Sequence, residues 1–277
     1  MNLREIVRHD LLVVRNSRLA VGVFIGLVGV TAPVFGWTAS NAATEATLRG
    51  LFTTMFSVMV LVPLFALVAS AFVLAIERQS GRMRFLLVLP NQRSEIVIGK
   101  VLSRGTLVNG GLLTGFLLIG VVALALGDAA WLPEIGILTL LTMLFATGYV
   151  GVAIGVSAAC ANQVRAVIAS LSVYLVSNVI WLPMFPVSGS QVTIDLLESV
   201  LSQSPGPVVV RAVEMLNPLI AYSQSLQLLG PSFENLARSI SSTNTVADPI
   251  LAIGILLGWV LTPISLGYLG FRRATIE

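Results

Sequence analysis

The sequence predicts an all-α integral membrane protein with six transmembrane helices, and three observations carry that expectation. Of 277 residues, 56% are hydrophobic and only 10% are charged, with a mean hydropathy of +0.93. Soluble domains run about 25% charged, and one globular core of this size cannot hide so much apolar surface from water. The apolar residues gather into six runs long enough to cross a bilayer. The basic residues are also lopsided: of 16 Lys and Arg, only Arg49, Arg211 and Arg238 fall on the side opposite the termini. That asymmetry follows the positive-inside rule and places both termini in the cytoplasm of a multi-pass cell-membrane protein. The pI near 9.5 arises from this topology and does not indicate nucleic acid.

In chain order, residues 1–18 carry Leu3, Ile6, Val7, Leu11 and Val14 at helical spacing, with Arg4, Glu5, Arg8, His9 and Arg15 on other faces. They read as an N-terminal amphipathic interfacial helix. Span 1 is expected over Leu19–Trp37, an uncleaved helix and not a signal peptide, since no small-residue cleavage site follows it. Span 2 covers Leu51–Ile76, with Pro63 placed to kink it. Span 3 runs Val101–Leu126, where Gly111 and Gly115 form a small-xxx-small pair that permits close helix approach. Span 4 is Ile135–Ala159, with Gly148, Gly151 and Gly155 at similar spacing, and span 5 is Ala166–Phe185. Residues 193–240 are expected to form short helices lying over the outer mouth, with Pro207, Pro218 and Pro231 at helix starts. Span 6 follows from Pro249 to Leu269. The single domain 1–277 thus divides into the interfacial helix 1–18, spans 1–5 in 19–186, an external helical segment in 187–248, and span 6 with a basic cytoplasmic tail in 249–277.

Few residues carry chemistry. No metalloprotease, P-loop or nucleophile-elbow motif occurs, and His9 and Cys160 are the only members of their types. No metal site is expected, and no disulfide can form within the chain. Met55 and Met59 lie one turn apart and read as packing residues. Among the polar or helix-breaking residues inside spans, Pro63, Asn109 and Asn178 are each assigned either to a pathway or to helix packing. The spans hold no Asp, Glu or Lys near their centres, which argues against ion or proton coupling.

The longest charged stretch, ERQSGRMRFLLVLPNQRSEIVIGK from Glu77 to Lys100, lies between spans 2 and 3. Its apolar middle and the Pro90-Asn91 break suggest a short amphipathic helix, a turn and the start of another helix. It is either a docking element or a solvated connector. Its pattern resembles the first cytoplasmic segment of the ABC-2-type permease family, in Glu77, Arg78, Gly81, Leu86–Leu89, Pro90, Arg93, Gly99 and Lys100, while departing at Gln79 and Arg82. Leu216-Asn217-Pro218 with Tyr222 resembles the family's Asn-Pro element before the last span, and GYLGFRRATIE resembles its ending. Within the family the resemblance is greatest to permeases of the nitrous-oxide-reductase maturation type, while multidrug, antibiotic and sodium exporters look similar, so the motifs name no substrate.

That resemblance implies the non-catalytic permease subunit of an ATP-binding-cassette exporter, paired with a second copy of itself or a related permease. ATP and Mg would be bound by a separate ATPase subunit on the cytoplasmic side. The stretch from Glu77 to Leu89 would be the coupling helix. Within it, Arg78 and Arg82 can reach carboxylates of the ATPase, Gly81 allows close backbone approach, and Leu86, Leu87 and Leu89 supply an apolar anchor. Glu77 and Arg78 either join that contact or pair with Arg84 or Glu95 inside the chain. The alternative function is a membrane scaffold or assembly factor that moves nothing.

Overall fold

A computed structural model describes residues 7–8, 10–13, 16–41, 45–71, 73–79, 93–160, 162–181, 189–240 and 248–273. Among them, regular structure is helical throughout, and six helical stretches are long and apolar enough to cross a membrane. The spans are α1 (Arg18–Ser40), α2 (Ala46–Ser70) continued by the short α3 (Val73–Gln79), α4 (Arg93–Ala125), α5 (Leu132–Ala159), α6 (Gln163–Ser177) and α11 (Pro249–Arg273). Between spans 5 and 6 stand α7 (Gly189–Leu201), α8 (Pro207–Met215), α9 (Pro218–Ser225) and α10 (Pro231–Ile240).

Small residues set the closest helix pairs. A Cβ on Gly115 of α4 would collide with the Thr31 side chain of α1, so glycine there lets those two spans touch. α5 and α11 run in parallel, and the carbonyl of Pro263 sits where a Cβ on Gly155 would project. Gly267 in turn packs on the Gly155 backbone. α5 is the most enclosed span and α11 the least. The core gathers around α5, where Phe145 and Tyr149 meet edge to face with centroids 5.2 Å apart.

Four differences from the sequence expectation have physical reasons. Span 2 is two helices: α2 ends at Ser70, and α3 begins at Val73. The Leu74 and Ala75 N–H groups donate to Ser157 Oγ of α5 at 3.2 and 3.1 Å, so a side chain stands in for the helix's own carbonyls. Span 3 starts at Arg93 rather than Val101, and Lys100 in the stretch it gains is partnered, as described below. In span 5 the α-helix ends at Ser177, where Asn178 leaves the helical conformation and turns its side chain to span 2, and a 3-10 turn over Val179–Trp181 carries the span on; residues 182–185 lie outside the described residues.

The fourth difference is the depth of the segment between spans 5 and 6. Its helices do begin at Pro207, Pro218 and Pro231. Yet every residue of α9 is buried. Trp259 Nε1 donates to Leu216 O at 2.7 Å, and Tyr222 OH and Thr142 Oγ1 share a 2.8 Å hydrogen bond. Tyr222 also stacks on Phe145 at 4.5 Å. Trp259 and Thr142 lie about 15 Å along helices that start at Pro249 and Leu132. α9 therefore enters the bundle to mid-span depth and does not merely lie over its mouth. Asn217 makes that possible: its Oδ1 accepts from Leu219 N at 2.8 Å and from Ile220 N at 3.3 Å, closing the helix start without water.

Candidate functional site

Among the described residues, two polar sites bear on the charged segment and on span 2. The first lies at the end that carries most of the basic residues, where four charged side chains and a hydroxyl meet. Lys100, buried in α4, donates to Asp10 of the N-terminal segment and, at 2.7 Å, to Glu77 Oε1 of α3. Ser103 also donates to Asp10, whose other charged neighbour is Arg104 Nε at 4.0 Å. Lys100, Ser103 and Arg104 follow at i, i+3 and i+4, so one face of α4 presents both cations. Asp10 and Lys100 are 5% and 6% exposed, and unpaired charges at such depth would cost several kcal/mol (about 3–5 when one partner of a buried pair is removed). Burial pushes the Asp10 carboxyl up, but the Lys100 charge, the hydrogen bonds from Lys100 and Ser103 and the Arg104 charge together outweigh it and hold it below the usual carboxylate range.

α3 is thus an arm held at both ends. Ser157 of α5 caps its start, and Lys100 of α4 holds Glu77 near its finish. A third contact comes from α6, whose Gln163 N donates to Gln79 Oε1 at 3.4 Å. The chain between Gln79 and Arg93, with Gly81, Arg82, Leu86, Leu87 and Leu89, lies outside the described residues. Of the expected coupling residues, Glu77 and Arg78 belong to α3, and Glu77 pairs inside the chain with Lys100, a partner not foreseen from the sequence.

The second site is the middle of span 2. Proline has no N–H, so Pro63 leaves the Met59 carbonyl without its helical donor. Asn178 Nδ2 of span 5 donates to that carbonyl at 2.9 Å, and Tyr174 OH donates to the next carbonyl, Val60 O, also at 2.9 Å. Pro63 and Asn178, expected separately, therefore form one clasp between spans 2 and 5. Asn109 stands elsewhere: its Nδ2 donates to Thr147 Oγ1 of α5 at 3.0 Å, joining spans 3 and 4. Among the described residues, no group of three His, Cys, Asp or Glu comes together to hold a metal ion.

Sequence reasoning missed Asp10, Ser103, Arg104, Ser157 and Tyr174. For Asp10 a signal existed. It falls four after Ile6 and three after Val7, on the apolar stripe itself, and an acid in that register needs a buried cation. Ser157 and Tyr174 gave none, because a capping hydroxyl on another helix leaves no periodic mark.

The fold and these sites define a polytopic α-helical membrane protein in which a broken second span leads toward its largest charged segment. The model of the ABC-2 family transporter proteins matches residues 23–276, nearly the whole chain, and the protein belongs to that family. No curated protein matches it.

Proposed function

We propose that this chain is the permease subunit of an ATP-binding-cassette exporter, driven by a separate ATPase that docks on the basic, cytoplasmic end. The observation that carries the reading is the family match across residues 23–276, and the broken end of span 2 supports it. Glu77 and Arg78 lead from α3 directly into the segment assigned to ATPase docking. Gly81, Arg82, Leu86, Leu87 and Leu89 supply its contact surface, with apolar anchors inside a charged rim. The chain has no P-loop sequence, so ATP and Mg belong to the partner. A second permease copy completes the pathway, and both termini face the cytoplasm.

The test is copurification from native membranes. A tagged wild-type chain is expected to bring down a soluble P-loop ATPase identifiable by mass spectrometry. Arg78→Ala with Leu87→Ala, correctly inserted, is expected to lose it. Wild-type chain that captures no P-loop protein, or a double variant that captures it undiminished, would refute the docking assignment.

A further inference from the structure

At the end opposite the Asp10–Lys100 cluster, α1 and α2 leave a cleft of about 370 Å3 between them, lined by Trp37, Thr38, Asn41, Arg49, Phe52 and Thr53. Trp37, Thr38 and Asn41 close α1, while Arg49, Phe52 and Thr53 follow at i, i+3 and i+4 in the first two turns of α2. Most of the cleft's donors are engaged. Asn41 Nδ2 donates to Trp37 O at 2.7 Å and to Ser40 Oγ at 3.4 Å. Thr38 Oγ1 donates to Val34 O at 2.8 Å, and Thr53 Oγ1 to Arg49 O at 3.0 Å. The Arg49 guanidinium is not engaged. Of the three cations at this end, Arg238 pairs with Glu234 and Arg211 has an interaction of its own. Arg49 meets no carboxylate among the described residues, not even Glu45 one turn before it. Residues 42–44, between the two helices, are Ala-Ala-Thr and bring no charge. The cleft thus presents an unpaired cation with five N–H donors and no anion to meet it.

Two rings mark the depth of the cleft. Among the described residues, Trp37 at 75% and Phe56 at 39% are the exposed aromatic side chains. Phe56 continues the Arg49, Phe52 and Thr53 stripe one turn further into the span. Tryptophan at the end of a span belongs to the headgroup level, so Arg49 stands where lipid phosphates lie, with an apolar ring below it. The volume is at the small end of ligand sites, which run about 300–1,000 Å3, so it admits a headgroup and not a partner helix. We propose that this cleft binds an anionic phospholipid. Arg49 pairs with the headgroup phosphate, Trp37 packs on the glycerol region, and Phe56 takes the top of an acyl chain. Charge complementarity selects this occupant. A lone guanidinium without a carboxylate favours a net anionic headgroup over a zwitterionic one, whose own ammonium already offsets its phosphate. A lipid held by apolar contact alone would show no such preference. The site does not depend on the ATPase reading.

The experiment uses the full chain in nanodiscs of phosphatidylcholine. Rising fractions of phosphatidylglycerol or of phosphatidylcholine, each brominated near the top of its chains, are introduced. Quenching of Trp37 is read as the difference between the parent and Trp37→Phe. Phosphatidylglycerol is expected to reach half-quenching at about one fifth of the fraction that phosphatidylcholine needs, the change that one basic residue near the surface brings. Arg49→Gln is expected to bring the two lipids to parity, and Arg49→Lys to keep most of the preference. Arg49 is exposed, so neither replacement should disturb folding. Arg238→Gln, at the same end but paired in the parent, is expected to leave the preference unchanged. Equal quenching by the two lipids in the parent, a preference that survives Arg49→Gln, or one lost equally in Arg238→Gln overturns the proposal. So does inorganic phosphate that abolishes the preference where chloride at the same ionic strength does not, since the cleft would then be a site for soluble anions.

Discussion

Replacing Asn178 with alanine tests whether the clasp on span 2 compensates for Pro63. The Met59 carbonyl is buried and has lost its helical donor to the proline, so without Asn178 Nδ2 it is left bare. An unsatisfied buried carbonyl costs about 1–3 kcal/mol. Hydrogen bonds between membrane helices average nearer 0.6 kcal/mol, with a maximum of about 1.7. Asn178 Oδ1 is itself buried with no partner among the described residues, so its removal returns part of the loss. The net destabilisation expected for Asn178→Ala is therefore about 1 kcal/mol. The decisive measurement is a double-mutant cycle with Pro63→Ala, read by reversible unfolding in mixed micelles. Alanine at 63 restores an N–H to Met59 O, which makes Asn178 redundant. In that background Asn178→Ala is expected to cost less than about 0.5 kcal/mol, below the scatter of independent sites. Equal costs in both backgrounds would refute the compensation argument, whatever their size.

Two further outcomes follow from the geometry. Gly155→Ala is expected to force α5 and α11 apart at Pro263 and cost about 1–3 kcal/mol of stability in the same assay, whereas Gly136→Ala, which meets no neighbour within 4 Å, should be neutral or stabilising. The Asp10 carboxyl has its native value lowered, so its contribution is full above the ordinary value of 3.8 and is lost as pH falls through the native value. The stability difference between wild type and Asp10→Asn should then be flat from about pH 8 to 5 and shrink below about pH 4, and an unchanged difference in acid would contradict the ion-pair account.

The spans were legible because hydropathy and length are properties of the sequence alone. The tight helix pairs were half legible. Gly111, Gly115, Gly148, Gly151 and Gly155 announce close approach, but nothing in their spacing says that Gly155 meets Pro263. The depth of α9 was not legible. Pro218-Leu-Ile-Ala-Tyr-Ser-Gln-Ser mixes polar and apolar residues as a surface helix would, and its hydroxyls hide their polarity by bonding within the bundle, Ser223 to Ile220 O and Ser225 to Tyr222 O, both at 2.8 Å or less. Self-satisfied serines look exposed in a sequence and are buried in the fold. The charge cage failed for a related reason. Lys100 and Arg104 were read as topology markers at a span boundary, and only their contact with Asp10, far away in sequence, shows that they are internal partners.

Span 2 departs from a continuous helix at two places. It loses a main-chain donor at Pro63 and its helical continuity after Ser70, and at both places the exposed backbone groups are met by side chains of other spans. In an apolar medium such groups cannot fall back on water, so each break persists only because a particular residue, Asn178 or Ser157, is there to satisfy it. A helix broken by accident would leave those groups bare. Here local chemistry and tertiary contact agree at both positions, and that agreement makes the segmented shape of span 2 a specified feature of the fold. The segments meet different neighbours: Asn178 and Tyr174 of span 5 hold the middle, Ser157 of span 4 holds the start of α3, and Lys100 of span 3 holds Glu77. A displacement of α3 must therefore strain bonds to spans 3 and 4 before it reaches Pro63.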